Sequence, residues 1–173
     1  MRKLFISGTE TGIGKTYFSG LLCKYFMEQR KSVCYIKPVQ TGFPADDDRQ
    51  TVLNMSGLKP EDAHTFYTAE MPAAPYLAFD SFPYEEVVEK INSISGYDVL
   101  VVESAGGLFV PLDEGVFNYD IAKDCRLETV IVVPNRLGCI NHAMLSRYLL
   151  LKEGLDFAGF AFKIGRASCR ERV

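Results

Sequence analysis

The chain has 173 residues, of which 47% are hydrophobic and 24% charged, enough apolar content for one domain with a buried core. Its net charge of -3 lacks the basic footprint of general nucleic-acid binding, and it holds no apolar run of about 18 residues, so neither nucleic acid nor a membrane is expected as a partner. Cys23, Cys34, Cys125, Cys139 and Cys169 form no C-x-x-C pair and no signal-like stretch opens the chain, so reduced thiols in a cytoplasmic protein are expected.

Residues 4–7 read as a buried strand that runs into a glycine- and threonine-rich loop. Residues 16–29 read as a helix with Phe18, Leu21, Leu22, Tyr25 and Phe26 on one face, and residues 32–36 as a second strand. A short helix is expected over 48–55, ended by Ser56 and Gly57. Residues 58–83 contain four prolines and read as the longest irregular region. A helix over 84–94 opens with Glu85 and Glu86, which suit the positive end of its dipole. Residues 97–102 form a nearly continuous apolar strand, 116–125 a helix, 129–133 another apolar strand, 141–152 a helix, and 157–162 a last strand. Apolar strands alternating with helices predict an α/β domain with a mostly parallel sheet covered on both faces. Ligands of such sheets bind at the carboxyl ends of the strands, where the chemically interesting residues fall.

The stretch Gly8-Thr9-Glu10-Thr11-Gly12-Ile13-Gly14-Lys15-Thr16 lies between strand and helix. Its N–H groups can wrap phosphate oxygens, Lys15 can reach the outer phosphates, and the Thr16 hydroxyl can ligate Mg2+. The strict G-x-x-x-x-G-K-[ST] spacing is not met, because position 9 is Thr and the nearest earlier glycine is Gly8. Lys37, followed by Pro38-Val39-Gln40-Thr41-Gly42, sits just past the second strand and faces Lys15 across the crevice. Two cations converging on one phosphoryl group stabilise the charge that develops in its transfer. Glu103 closes the strand over 97–102, ahead of Ser104-Ala105-Gly106-Gly107, where an acidic residue serves Mg2+ directly or through water. Of Asp46, Asp47 and Asp48, Asp46 is expected as a solvated turn or helix cap and Asp48 as the one that reaches the metal, although spacing alone does not separate Asp48 from Asp47.

Taken together these segments resemble the dethiobiotin synthetases. The phosphate loop resembles their G-T-x-T-x-x-G-K-T, and Lys37-Pro38-Val39 with Thr41-Gly42 their second signature. Val101-Val102-Glu103-Ser104-Ala105-Gly106-Gly107 with Val110-Pro111-Leu112 resembles their E-G-A-G-G segment, and Leu137-Gly138-Cys139-Ile140-Asn141-His142-Ala143 their L-G-x-I-N-H helix start. The resemblance implies a single P-loop NTPase domain over residues 1–162 that is incomplete at its C-terminus. It implies a homodimer that binds 7,8-diaminononanoate near the subunit interface. CO2 converts the diamine to a carbamate, ATP phosphorylates the carbamate, and the second amine closes the ring. The catalytic lysines fall on Lys37 and Lys15, and the metal ligands on Thr16, Asp48 and Glu103. ATP falls on Gly12, Ile13, Gly14, Lys15, Thr16, Tyr17, Asp48, Glu103, Ser104, Ala105 and Gly106. Substrate falls on Thr11, Lys37, Thr41, Gly138, Cys139, Ile140 and Asn141, its carboxylate at the amide-rich start of the helix after Gly138.

Ser104 departs from a family glycine, which bears on close backbone approach to ATP, and Gly12 stands where some members carry Glu, so it has no acidic role. His142 reads as a packing or capping residue rather than a catalytic one, and Cys139 as a small buried residue. Residues 163–173 are Arg-rich, lack core periodicity and resemble the in-frame translation of a sequencing adapter, so a non-native tail is expected, beginning about where the family has an Asn that contacts adenine. Two other readings compete: an amide-forming synthetase related to cobyrinic acid diamide synthase, and a regulatory P-loop ATPase of the partition type. The first carries a glutaminase domain with a nucleophilic Cys, and the second a lysine early in the phosphate loop, where this chain has Thr9.

Overall fold

The computed structural model describes residues 1–164. Strand β1 (Arg2–Gly8) leads through the glycine-rich loop into helix α1 (Lys15–Glu28), then β2 (Val33–Thr41) and α2 (Asp48–Ser56). A short 3-10 turn (Pro60–Asp62) precedes β3 (Ala63–Ala69), followed by α3 (Pro75–Ala78), α4 (Tyr84–Ser93) and β4 (Val99–Gly107). A small hairpin, β5 (Pro111–Asp113) with β6 (Val116–Phe117), leads to α5 (Asn118–Asp124), β7 (Glu128–Pro134), α6 (Cys139–Lys152) and β8 (Phe157–Lys163). The six long strands form one parallel sheet in the order β3-β2-β4-β1-β7-β8.

Alternation along the strands feeds two cores. Leu4, Ile6, Tyr35 and Val101 face α1 and α2, where they meet Cys23 and Val52. Phe5, Ile36, Leu100 and Val102 face α4, α5 and α6, where they meet Val87, Ile91, Ile121 and Leu150. Each large apolar side chain buried this way contributes roughly 1.5–3 kcal/mol. Val87 and Ile91, one helical turn apart on α4, lie on its core face, and both are fully buried. Helix α2 is bounded by local chemistry. Asp47 caps its start by accepting from Gln50 N at 2.9 Å, and Gly57 ends it at φ 77°, a conformation that disfavours side chains.

The structure departs from the sequence reading at several boundaries. The proline-rich region holds β3, a partly buried edge strand whose polar, interrupted pattern hides its pairing with β2. Strand β2 runs on through Lys37 to Thr41, and β4 through Glu103 to Gly107, so both side chains project from strand backbone rather than from the loops after it. Val116 and Phe117 belong to the hairpin, and α5 begins at Asn118, where the Asp120 carboxylate accepts from Phe117 N at 2.8 Å. Helix α6 begins at Cys139. Strand β8 includes Lys163, one residue beyond the domain boundary expected at 162; of the rest of the expected tail, Ile164 is described and 165–173 lie outside the described residues. Among the described residues, no helix is long and apolar enough to cross a membrane.

Candidate nucleotide and metal site

The sheet order places β1 between β4 and β7, so the loop after β1 opens at the crevice where the connections diverge to opposite edges. The loop closes onto α1 at Gly14, whose φ of 99° disfavours any side chain. Lys15 turns back over the loop and donates from Nζ to Glu10 O at 3.1 Å. Burial and the nearby Lys37 charge lower the Lys15 pKa to about 8. Anionic phosphate oxygens would favour its charged form.

Behind the loop lies a buried ionic cluster built by α1, β2, α2 and β4. Lys37 Nζ lies 2.7 Å from Asp48 Oδ2, and it donates to Glu103 Oε1 at 3.0 Å and to Ser104 O at 3.1 Å. These three acceptors match the three protons of an ammonium group. Lys37 is 3% exposed and Glu103 fully buried. Burial works against both the Lys37 and Asp48 charges, but Glu103 and Asp48 outweigh it at Lys37, whose pKa lies above its ordinary value, and Lys37 with the Thr16 hydroxyl outweighs it at Asp48, whose pKa lies below. Thr16 Oγ1 lies 2.8 Å from both Asp48 Oδ1 and Glu103 Oε1. One hydroxyl proton serves only one of these oxygens at a time, so three hard oxygens converge with fewer hydrogens than contacts. That donor set fits Mg2+, which takes one or two carboxylates from protein and completes its shell with phosphate and water. Among the described residues no group of three or more His, Cys, Asp or Glu forms a denser metal site.

The turn after Glu103 is held from two sides. Ser104 Oγ donates to Gly106 O at 2.8 Å and shares a hydrogen bond with Ser7 Oγ at 3.1 Å, so this hydroxyl is buried within the fold. Asn118 Nδ2 donates to Ala105 O at 2.6 Å and Gly107 O at 2.9 Å. Thr11 stands against Gly106: a Cβ added there would lie 3.4 Å from Thr11 Oγ1. At the rim, Arg136 Nη2 pairs with Glu10 at 2.6 Å and ties the loop before α6 to the phosphate loop.

The structure therefore brings Lys15, Thr16, Lys37, Asp48 and Glu103 together, with Gly12, Ile13, Gly14, Ser104, Ala105 and Gly106 around them. Tyr17 points outward at 54% exposure, and Thr41 ends β2, four residues past Lys37. Gly138, Ile140 and Asn141 lie exposed at the start of α6, outside this cluster, while Cys139 packs partly buried against the core. Two expectations change. The cap of α2 is Asp47 rather than Asp46, because its side chain reaches Gln50 N, which leaves Asp48 to face Lys37. His142 is exposed rather than packed, and the residue at the cap position is Gly138. Tyr35, Asn118 and Arg136 were not singled out in the sequence. Tyr35 carries the one readable signal, a polar-tipped aromatic two positions before Lys37 and so on the same strand face.

This fold and this crevice define a P-loop nucleotide-binding protein. An AAA domain family model (AAA_26) matches residues 2–166. The ATP-dependent dethiobiotin synthetase of Sulfurovum sp. (strain NBC37-1) is 36% identical over 169 residues, covering 91% of this chain and 80% of its own length. Its counterpart from Methanocaldococcus jannaschii is 35% identical over 166 residues, covering 90% of this chain and 77% of its own length. The chain belongs to the dethiobiotin synthetase family. Solved structures of similar shape include the kinase domain of Escherichia coli tyrosine kinase ETK, with a TM-score of 0.60, 16% identity and coverage of 98% of this chain and 71% of that one. The MinC:MinD cell division complex of Aquifex aeolicus matches with a TM-score of 0.59, 16% identity, and coverage of 95% and 70%. At these identities the likeness concerns the fold alone, so partition-type and septum-positioning ATPases are distant relatives in shape.

Proposed function

We propose that this chain closes the ureido ring of dethiobiotin from 7,8-diaminononanoate, CO2 and MgATP, releasing ADP and phosphate, as a step of biotin biosynthesis. The observation that carries the reading is the buried Lys37 ammonium, held between Asp48 and Glu103 on the inner side of a phosphate loop that presents Lys15. A partition-type ATPase takes its second lysine from within the phosphate loop, where this chain has Thr9; a second lysine supplied instead by β2 suits a substrate that becomes anionic.

In the first step an amine nitrogen of the substrate bonds to the carbon of CO2 and loses a proton, giving a carbamate. A carbamate oxygen then attacks the γ-phosphorus of ATP, and the bond to the β-phosphate oxygen breaks. Finally the other amine attacks the carbamoyl carbon, loses its proton, and phosphate leaves as the ring closes. Lys15 holds the outer phosphates, and Lys37 offsets the charge shared by the carbamate and the transferring phosphoryl group. Thr16, Asp48 and Glu103 would hold Mg2+, which neutralises charge on the β- and γ-phosphate oxygens when bound. Thr11 and Thr41 offer hydroxyls to the reacting end of the substrate.

A cleft of about 550 Å3 runs from Thr9 and Thr11 past Phe109 and Val110 to Leu145 and Leu149 of α6. Its apolar far wall suits the alkyl chain of the substrate. The first turn of α6, at Gly138, Cys139, Ile140 and Asn141, suits the substrate carboxylate, because first-turn N–H groups lack partners within the helix. Ile140, Met144, Tyr148 and Leu151 follow one another at helical spacing along α6 and are all more than half exposed. We assign this stripe to the contact between two copies in a homodimer, and the cytoplasm as the compartment, which suits the buried free thiols Cys23, Cys34 and Cys125. The test is incubation with MgATP, the diamine and 13C-bicarbonate. Dethiobiotin labelled at the ureido carbon is the expected product, and its absence, with nucleotide bound, would refute the reading.

A further inference from the structure

Of the oxygens in the buried cluster, Glu103 Oε2 has a partner that the proposed mechanism does not use. Its companion Oε1 faces the crevice and takes Lys37 Nζ at 3.0 Å and Thr16 Oγ1 at 2.8 Å. Oε2 points the other way, into the core between the sheet and α1, where Tyr35 Oη donates to it at 3.1 Å. Tyr35 and Glu103 are both fully buried, so water does not supply the missing bonds. A buried carboxylate left with an unpaired oxygen is strongly destabilised, and its charge must be met by hydrogen bonds.

The geometry follows from strand pairing. Tyr35 lies opposite Val101 in the β2–β4 register, and two residues further along each strand stand Lys37 and Glu103 on the same face. The tyrosine ring packs among Cys23, Val52 and Val101, and its hydroxyl reaches up the strand to the carboxylate. Residues two apart on β2 thus grip both oxygens of one carboxylate on β4 and fix its rotation. A carboxylate oxygen only accepts, so the hydroxyl proton of Tyr35 makes it the donor in this pair.

We propose that Tyr35 is the positioning residue for Glu103: its hydroxyl holds the carboxylate so that Oε1 faces the cation site beside Thr16 and Asp48. This inference rests on the reading of Glu103 as a metal ligand. Groups behind a metal ligand that fix its orientation affect metal affinity by about 10–100-fold. Tyr35→Phe removes one oxygen and keeps the ring that packs the core.

The experiment measures Mn2+ binding to the full chain saturated with ADP, by electron paramagnetic resonance, for the native chain, Tyr35→Phe and Glu103→Gln. The expected result for Tyr35→Phe is a Kd for Mn2+ raised about tenfold or more, with metal-free ADP binding unchanged and turnover recovered at high Mg2+. An unchanged Mn2+ Kd in Tyr35→Phe, with a weakened one in Glu103→Gln, overturns the inference and leaves the metal reading standing. Unchanged affinity in both variants overturns the metal reading and the inference with it. Should Tyr35→Phe fail to fold, a single 3-fluorotyrosine at position 35 keeps the hydroxyl and reports the same contact. Its 19F resonance shifts on Mg2+ addition if the proposal holds, and a resonance unmoved at saturating Mg2+ overturns it.

Discussion

Lys37 reaches from β2 to the first residue of α2, where its ammonium lies 2.7 Å from Asp48 Oδ2 with Asp48 about one-quarter exposed and Lys37 almost wholly buried. The same nitrogen bonds Glu103, so one cation holds two carboxylates from two different elements. Coulomb attraction outweighs the cost of desolvating the charges only because every donor and acceptor in the cluster has a partner.

Replacing Lys37 by alanine separates the two roles of this ammonium. Ring closure is expected to fall by on the order of 10²–10³-fold, the usual loss for one charge-stabilising donor, while ADP binding stays near normal. The variant also leaves Asp48 and Glu103 without their cation, a loss of about 3–5 kcal/mol for a broken buried pair. Thermal melts should show this destabilisation, partly recovered by Mg2+ with ADP. Normal turnover would remove Lys37 from the chemistry.

Glu103→Gln keeps the shape of the side chain and removes one negative charge beside Thr16. It should weaken Mg2+-dependent nucleotide binding and leave metal-free binding unchanged, as read by titration calorimetry. Asp48→Asn should behave in the same way. Asp47→Ala should instead cost about 1 kcal/mol of stability through the lost cap, with no change in the Mg2+ titration. An Mg2+ effect at Asp47 and none at Asp48 would reverse the assignment.

Ser104→Gly restores the residue the family usually carries. The hydroxyl bonds Gly106 and Ser7 inside the fold, so its loss should lower stability by about 1–2 kcal/mol, with Ser7 left short of a partner. Steady-state constants should change little. A large gain in ATP affinity would mean that the serine, rather than the loop backbone, limits the approach of the nucleotide.

Tyr148→Asp places a charge in the middle of the exposed stripe of α6. Light scattering after size exclusion should show dimers for the native chain and monomers for the variant, since a buried unpaired charge at an interface centre is strongly unfavourable. A variant that remains dimeric would place the interface elsewhere.

Much of this was legible because P-loop chemistry is local in sequence. Gly14, Lys15 and Thr16 adjoin one another, and Lys37 and Glu103 stand on strands whose apolar runs announce a parallel sheet. Strand β3 was hidden because an edge strand buries little: His64, Thr65 and Thr68 break the apolar pattern that marks its neighbours. The choice among Asp46, Asp47 and Asp48 depends on where α2 starts, and a shift of one residue rotates a helix by about 100°. The partner of Tyr35 was hidden for another reason, although the tyrosine's position two residues before Lys37 was readable. In an apolar strand it reads as a core aromatic, and its function depends on pairing with β4, 64 residues downstream at its opening residue Val99.

The most direct test of the central claim is ADP release by the chain in MgATP, measured with the diamine, with bicarbonate, with both and with neither. Release is expected only when both are present, one ADP for each dethiobiotin formed. Hydrolysis at the same rate in all four conditions would contradict it and point to a nucleotide-driven switch instead.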